Sequence, residues 1–263
     1  MLSTLRKTSL TLACLAGAAG FSSFAAPAHA DWSVGVGGIS SDGSFKGVDR
    51  DNVAVPLIGY EGERVYFRGL ELGYRLNPQS PGLPPQQRSP HEWAIVVTGA
   101  PFRFRPSDSS DMQMRELDSR SFSAEVAIDY KYRTPFGVLD LRAGQDIRGN
   151  GHRLSASYGY PFSTDFRRWQ VGPAIGVTYI SSGYTGYYYG ISAEESARSG
   201  LPEYSSQDAF NPFVRVGGYY AFNEQWRMFG AVTASRMSSK IANSPMAEGR
   251  SVSTVILAVS YSF

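Results

Sequence analysis

Beyond residue 30 the sequence holds no cysteine, because its one cysteine is Cys14. That excludes a disulfide framework, a thiolate nucleophile and a cysteine-based metal site. No run of about eighteen consecutive apolar residues follows the leading segment, which excludes a membrane-spanning helix. A surplus of charge is missing too. Residues 1–30 contain Arg6 and Lys7 and no acidic residue, so the 25 basic and 23 acidic residues of the whole chain leave a formally neutral remainder. Without a global basic field, nucleic acid is not an expected partner. Histidine is scarce, with only His91 and His152 beyond the leader. His91 stands in a Pro/Gln-rich stretch and His152 in Gly149-Asn150-Gly151-His152, and both read as solvated loop residues. Asp146 precedes His152 closely, but no nucleophile elbow, paired-carboxylate motif, Glu-x-x-His or phosphate-cradling glycine loop accompanies it. Neither catalysis nor a cofactor is expected.

The chain opens with a basic start at Arg6 and Lys7, an apolar run from Leu10 to Gly20, and the small-x-small triplet Ala28-His29-Ala30 before Asp31. This pattern predicts a secretory signal peptide over residues 1–30, cleaved after Ala30, and one exported domain over 31–263. Cys14 does not read as a lipidation site, since Thr11-Leu12-Ala13 places leucine one position from where a lipobox needs it.

Period-two alternation dominates the rest. From Arg120 to Arg133, residues Phe122, Ala124, Val126, Ile128, Tyr130 and Tyr132 fall on one face, with Ser121, Ser123, Glu125, Ala127, Asp129 and Lys131 on the other. That is a strand with one apolar and one polar side. After Thr134-Pro135-Phe136-Gly137 the pattern resumes with Leu139, Leu141 and Ala143 against Asp140 and Arg142, which predicts a hairpin. A soluble sandwich would turn such apolar faces toward each other, whereas a membrane barrel turns them to lipid and its charges to the lumen. Aromatics recurring at strand ends (Trp32, Trp93, Trp169, Trp226, Tyr132, Tyr179, Tyr220, Tyr261) match interfacial girdles and favour the barrel. The predicted fold is all-β: a transmembrane antiparallel up-and-down β-barrel of 10–12 strands, with twelve preferred.

Short connections at Glu61–Glu63, Thr134–Gly137, Phe162–Phe166 and Phe222–Gln225 are expected on the periplasmic side. Longer ones at Ser40–Asp51, Asn77–His91, Ser181–Asn211 and Ser238–Arg250 are expected on the outer face. About eleven strand-like segments are visible, and the odd count is placed between Asn77 and Ser119, where Gly99-Ala100-Pro101 interrupts Trp93 to Arg105. Arg68 falls out of phase with Leu70, Leu72 and Tyr74, which predicts a bulge or an interface position.

Two groups of candidate functional residues emerge. In the Ser181–Asn211 loop, Ser192-Ala193-Glu194-Glu195 is a capping box and Gly200 with Pro202 a stop, so a helix of about two turns is expected. It follows Tyr187-Tyr188-Tyr189-Gly190. The loop either seals the barrel mouth or presents a partner-facing surface of Tyr187, Tyr188, Tyr189, Glu194, Glu195 and Tyr204. Inside the barrel, Glu125, Asp129, Lys131, Asp140 and Arg142 should form a lumen cluster that either lines a water path or pairs and closes it, with Glu125 or Asp129 as candidate partners of Arg142. The balance of signs favours closure.

The stretch YYYGISAEESARSGLPEY from Tyr187 to Tyr204 resembles the hallmark segment of the MipA/OmpV family, the MltA-interacting proteins. MRELDSR at Met114 to Arg120, YRTPFG at Tyr132 to Gly137, Asn243-Ser244-Pro245-Met246 and the terminal Tyr261-Ser262-Phe263 match in family order, across essentially all of residues 31–263. The first loop, Ser40 to Asp51, departs from the Pro/Tyr-rich sequence expected there. The resemblance implies a cell outer-membrane scaffold, embedded in lipid, that links a murein lytic transglycosylase to a murein synthase in peptidoglycan turnover. It supplies no catalytic residues. Tyr261 and Phe263 are similar to the terminal signal read by the barrel assembly machinery. A passive or gated pore, or a surface adhesin, is the alternative.

Overall fold

The computed structural model of the protein describes residues 31–80, 83, 87–100 and 103–263. The expected signal segment lies outside them. The strands are β1 (Asp31–Ser41), β2 (Asp51–Glu61), β3 (Val65–Arg68), β4 (Glu71–Arg75), β5 (His91–Ala100), β6 (Ser123–Thr134), β7 (Gly137–Asp146), β8 (His152–Gly159), β9 (Trp169–Ile180), β10 (Ala209–Ala221), β11 (Trp226–Arg236) and β12 (Ser251–Ser262). Each pairs antiparallel with its sequence neighbour, and β1 closes on β12 to give a twelve-stranded barrel. The preferred count of twelve is the observed one.

The clearest alternation in the sequence makes the most regular hairpin. β6 and β7 pair from Thr134↔Gly137 to Glu125↔Asp146, around a two-residue connection at Pro135 and Phe136. Thr134 Oγ1 accepts the Phe136 N–H at 3.1 Å, which fixes the turn. Apolar side chains face outward and stay exposed, among them Val36 at 61%, Ile128 at 53% and Ile175 at 64%. A continuous apolar outer surface of this kind is stable against lipid and unstable against water.

At the end of the barrel that carries both termini, aromatic pairs ring the wall. Trp32 meets Tyr60 at 5.1 Å, Trp93 meets Tyr130 at 4.4 Å and Trp226 meets Tyr261 at 5.2 Å between ring centroids. Tyr179 and Phe210 pair at the other end. The terminal end also carries the tight turns 62–64, 135–136 and 222–225, whereas the opposite end carries 42–50, 101–122, 181–208 and 237–250. The terminal end is therefore the periplasmic one.

Three expectations need correction. The twelfth strand does not lie between Asn77 and Ser119, where one strand, β5, occurs; it comes from a turn within 65–75 that splits this stretch into β3 and β4. That turn also explains Arg68. Gly69, at φ +63°, reverses the chain, so Arg68 points inward from β3 while Leu70, Leu72 and Tyr74 point outward, with no bulge. The segment Asn77–His91 lies on the periplasmic side, because β4 runs downward into it. Its length mimicked an outer loop, and the missed turn inverted its assignment.

Candidate functional site

The inward faces of β2 to β8 carry a charged network that the pairing register assembles. Asp129 stands directly across from Arg142, and Lys131 across from Asp140, on the β6–β7 ladder. Arg142 donates to both Asp129 oxygens at 2.6 Å and to Glu71 at 2.8 Å. Lys131 meets Asp140 at 3.6 Å. Toward the outer end, Arg153 donates to Glu125 at 2.7 Å. Toward the periplasm, Glu61 binds Arg68 at 2.9 and 3.0 Å and also binds Arg75. Glu92 takes Arg75 at 3.3 Å and Arg133 at 2.6 Å. The Tyr66 ring packs against two guanidinium groups, 4.2 Å from Arg68 and 4.5 Å from Arg75.

All five predicted lumen residues therefore face inward in ion pairs, and the lumen assigns Asp129 to Arg142 and Glu125 to Arg153. Glu61, Arg68, Glu71, Arg75, Glu92, Arg133 and Arg153 escaped the sequence reading. Glu71, Gly73 and Arg75 alternate with Leu70, Leu72 and Tyr74, and that signal becomes legible once the Gly69 turn is placed. Six acidic and six basic side chains make the network neutral.

Above it, the outer connections fold into one apolar plug. Helix α1 (Ser182–Tyr189) and helix α2 (Ala193–Ser199) come from 181–208, and a short α3 (Ser239–Ala242) from 237–250. Phe45, Phe104, Met114, Tyr188, Tyr189, Ile241 and Met246 are buried together. Phe45 stacks on Tyr189 at 5.2 Å and touches Phe104 at 5.0 Å. Ser192 caps α2 with its reciprocal Glu195 as expected, and Gly200 ends it in the left-handed conformation. The helix carrying Tyr184 to Tyr189 was not expected.

The tyrosine loop divides between the interior of this plug and its surface. Tyr188, Tyr189 and Glu195 are buried, so they build the seal and are not a partner-facing surface. Tyr187 and Tyr204 are half-buried, accepting from the Ser121 N–H at 2.9 Å and donating to the Lys240 carbonyl at 3.1 Å. Glu194 is exposed. Glu195 accepts from Arg120 at 2.8 and 3.1 Å, from the Asp118 N–H at 2.9 Å and from the Ser192 N–H at 3.1 Å. Burial pushes its carboxyl up, but the two amides and the guanidinium outweigh burial and hold it below its usual 4.5. At the rim, a hydrogen bond from Lys46 likewise holds Asp111 low.

At the periplasmic end, the described residues between β4 and β5 are tied inward. Gln79 accepts the Ser89 N–H at 3.1 Å, and Arg133 reaches the Ser89 carbonyl at 3.2 Å. Buried Arg88 donates to the Leu83 carbonyl at 2.9 Å. Burial, with Arg133 and Arg68 nearby, brings it down to about 10. Phe136, Phe162 and Phe222 stand exposed on the neighbouring connections, Phe136 at 79%. His91 lies at this rim, 2.8 Å from the Tyr130 hydroxyl, and His152 at the opposite rim beside Tyr179. The two imidazoles are thus a barrel length apart. Tyr261 packs outward on Trp226, and the Phe263 N–H donates to the Trp32 carbonyl at 3.1 Å.

A family profile described as MltA-interacting protein MipA matches residues 34–263. The chain is 31% identical over 239 residues to the MltA-interacting protein of Escherichia coli strain K12, covering 90% of this chain and 92% of that one. It is 29% identical over 231 residues to the putative outer membrane protein YiaT of the same organism, covering 88% and 90%. Over 233 residues it is 22% identical to the outer membrane protein OmpV of Vibrio cholerae, covering 88% and 86%.

Proposed function

The chain belongs to the MltA-interacting protein MipA family of the outer membrane, and from that premise we propose that it is a scaffold holding a murein lytic transglycosylase and a murein synthase at its periplasmic face. The observation that carries the reading is the pairing of the inward charges of β2 to β8 beneath the plug. An ion-paired network beneath an apolar plug is suited to presenting surfaces, and poorly suited to passing solutes. Murein enzymes work in the periplasm, so the partner surface belongs at the terminal end. Exposed Phe136, Phe162 and Phe222, on three separate periplasmic connections, offer the apolar anchors that dominate interface energetics there. The role needs no catalytic step and no cofactor. Tyr261 and Phe263 serve earlier, as the strand-end mark taken up by the barrel assembly machinery.

Affinity capture with the refolded, detergent-solubilised barrel as bait, against a cell-envelope extract and with an unrelated barrel of similar size as control, tests the scaffold. Specific recovery of a lytic transglycosylase and a murein synthase is expected, with recovery reduced about tenfold by Phe136→Ala, the loss of one hot-spot aromatic. Recovery of neither enzyme from an extract shown to contain both would remove the proposal.

A further inference from the structure

The barrel wall is incomplete beside β2. β2 pairs with β1 along its whole length, from Asp31↔Glu61 to Ser41↔Asp51, but with β3 only from Gly59↔Arg68 to Glu61↔Tyr66. Above that the β3–β4 hairpin has already turned at Gly69, and β4 continues along β5. Residues 51–58 of β2 thus form an open edge of about 25 Å at roughly 3.3 Å per residue. Among the described residues two strands are missing from the wall there, a gap of the order of 10 Å.

The direction of the backbone along this edge follows from one bond. The Ile58 carbonyl accepts the Gly69 N–H at 3.1 Å, so it points away from β1. With a period of two, the polar backbone groups of Asn52, Ala54 and Pro56 point the same way, into the gap. Among the described residues none of them has a hydrogen-bond partner across it. Pro56 has no N–H to offer, a substitution that blunts an edge against addition of another strand.

The upper part of β2 turns apolar side chains inward. Val53, Val55 and Leu57 face the lumen, while exposed Asn52, Ala54 and Pro56 face outward. On the adjoining inner wall Gly35 and Gly37, which pair with Leu57 and Val55, carry no side chain. An apolar furrow therefore lies just inside the gap. It is continuous with the lipid-facing surface formed outside by Val34, Val36 and Ile58, each exposed.

We infer that this notch is a lateral port through which the acyl chain of a bilayer lipid enters the lumen and lies along Val53, Val55 and Leu57. An extended peptide would use the edge through main-chain bonds, which Pro56 interrupts. An acyl chain needs only the apolar furrow and the adjoining lipid, and both are present. The port does not depend on the scaffold role.

The test uses residues 31–263 reconstituted in phosphatidylethanolamine–phosphatidylglycerol vesicles containing a phospholipid with a diazirine on its acyl chain. After irradiation, adducts are mapped by mass spectrometry. Adducts are expected on inward Val53, Val55 and Leu57 as well as on outward Val34 and Val36. Val55→Asn, close in size but polar, should lower the inward adducts about tenfold and leave the outward ones unchanged. Heat-dependent migration on a gel confirms that each variant is folded. Adducts confined to outward residues would overturn the port. So would disulfide-linked dimers of Ala54→Cys that protect β2 from labelling, since a second copy would then cover the edge.

Discussion

Replacing Glu195 by alanine should open the outer plug while leaving the barrel folded. The side chain holds three neighbours at once: the start of α2 through the Ser192 N–H, the 101–122 connection through the Asp118 N–H, and the buried guanidinium of Arg120. Loss of the capping-box half costs about 1 kcal/mol. Removing one partner of a buried ion pair costs about 3–5 kcal/mol. Arg120 keeps the Asp118 and Gly190 carbonyls at 2.9 and 3.0 Å, so the lower end applies and the total is about 4 kcal/mol. Because the plug core is made of connections and the wall of ladders, this energy falls on local opening. Hydrogen exchange should show protection of amides in 182–200 reduced by about a thousandfold, with β6 and β7 unchanged. The charge also sets a pH dependence. A carboxyl held below its usual 4.5 stabilises the plug fully above that value and loses the contribution as pH falls through its folded value. Wild-type plug protection, corrected for intrinsic exchange, should therefore fall as the pH drops below 4.5, while Glu195→Gln should be weaker but flatter over the same change. Plug protection within threefold of wild type in Glu195→Ala, or equal loss in plug and wall, would refute the reasoning.

Two further outcomes follow from the lumen. The network and the plug are barriers in series, so neither Asp129→Arg, which sets a like charge against Arg142, nor Glu195→Ala should conduct alone, whereas the double variant should show a stepwise single-channel conductance; conduction by Asp129→Arg alone would show that the plug is no seal. Gly73→Ala places a methyl against the Tyr66 ring and displaces it from Arg68 and Arg75, at a cost of about 1–3 kcal/mol in urea unfolding from vesicles, and in a Tyr66→Ala chain the same substitution should add little further loss; an unchanged midpoint in the single variant would refute the packing.

What was legible in the sequence depended on length. β6 and β7 offer ten or more alternating residues each, enough for period and face to agree, whereas the register that chooses Asp129 over Glu125 for Arg142 is set by the ladder itself. β3 and β4 have four and five residues, too few for alternation to show a reversal, and the missed turn also reversed the side assigned to 77–91. The capping box was legible because its chemistry is local. The fate of the tyrosines was not: a tyrosine cluster has the same composition on a contact surface and in a core, and only the partners that come from distant connections, Phe45, Phe104 and Met246, settle which it is. Helix α1 has glycine at Gly183 and Gly186, which depresses local propensity, and its stability comes from that same packing.

The placement of the charges has a structural reason beyond closing the lumen. A two-stranded hairpin with strands this short is marginal by itself, and its ladder to β2 spans only Gly59 to Glu61. The inward charges of the hairpin reach three neighbouring strands: Arg68 reaches Glu61 on β2, Arg75 reaches Glu61 and also Glu92 on β5, and Glu71 reaches Arg142 on β7. The ion pairs are densest where backbone hydrogen bonds are fewest. Buried ion pairs add little net stability compared with apolar packing, but they are costly to break one partner at a time, so they select a single docking geometry. A hairpin held in this way can stop short of the outer end without letting the barrel unzip, and the unpaired edge of β2 is the consequence. The closed lumen and the lateral notch are thus two results of one feature, an early turn at Gly69 compensated by charge.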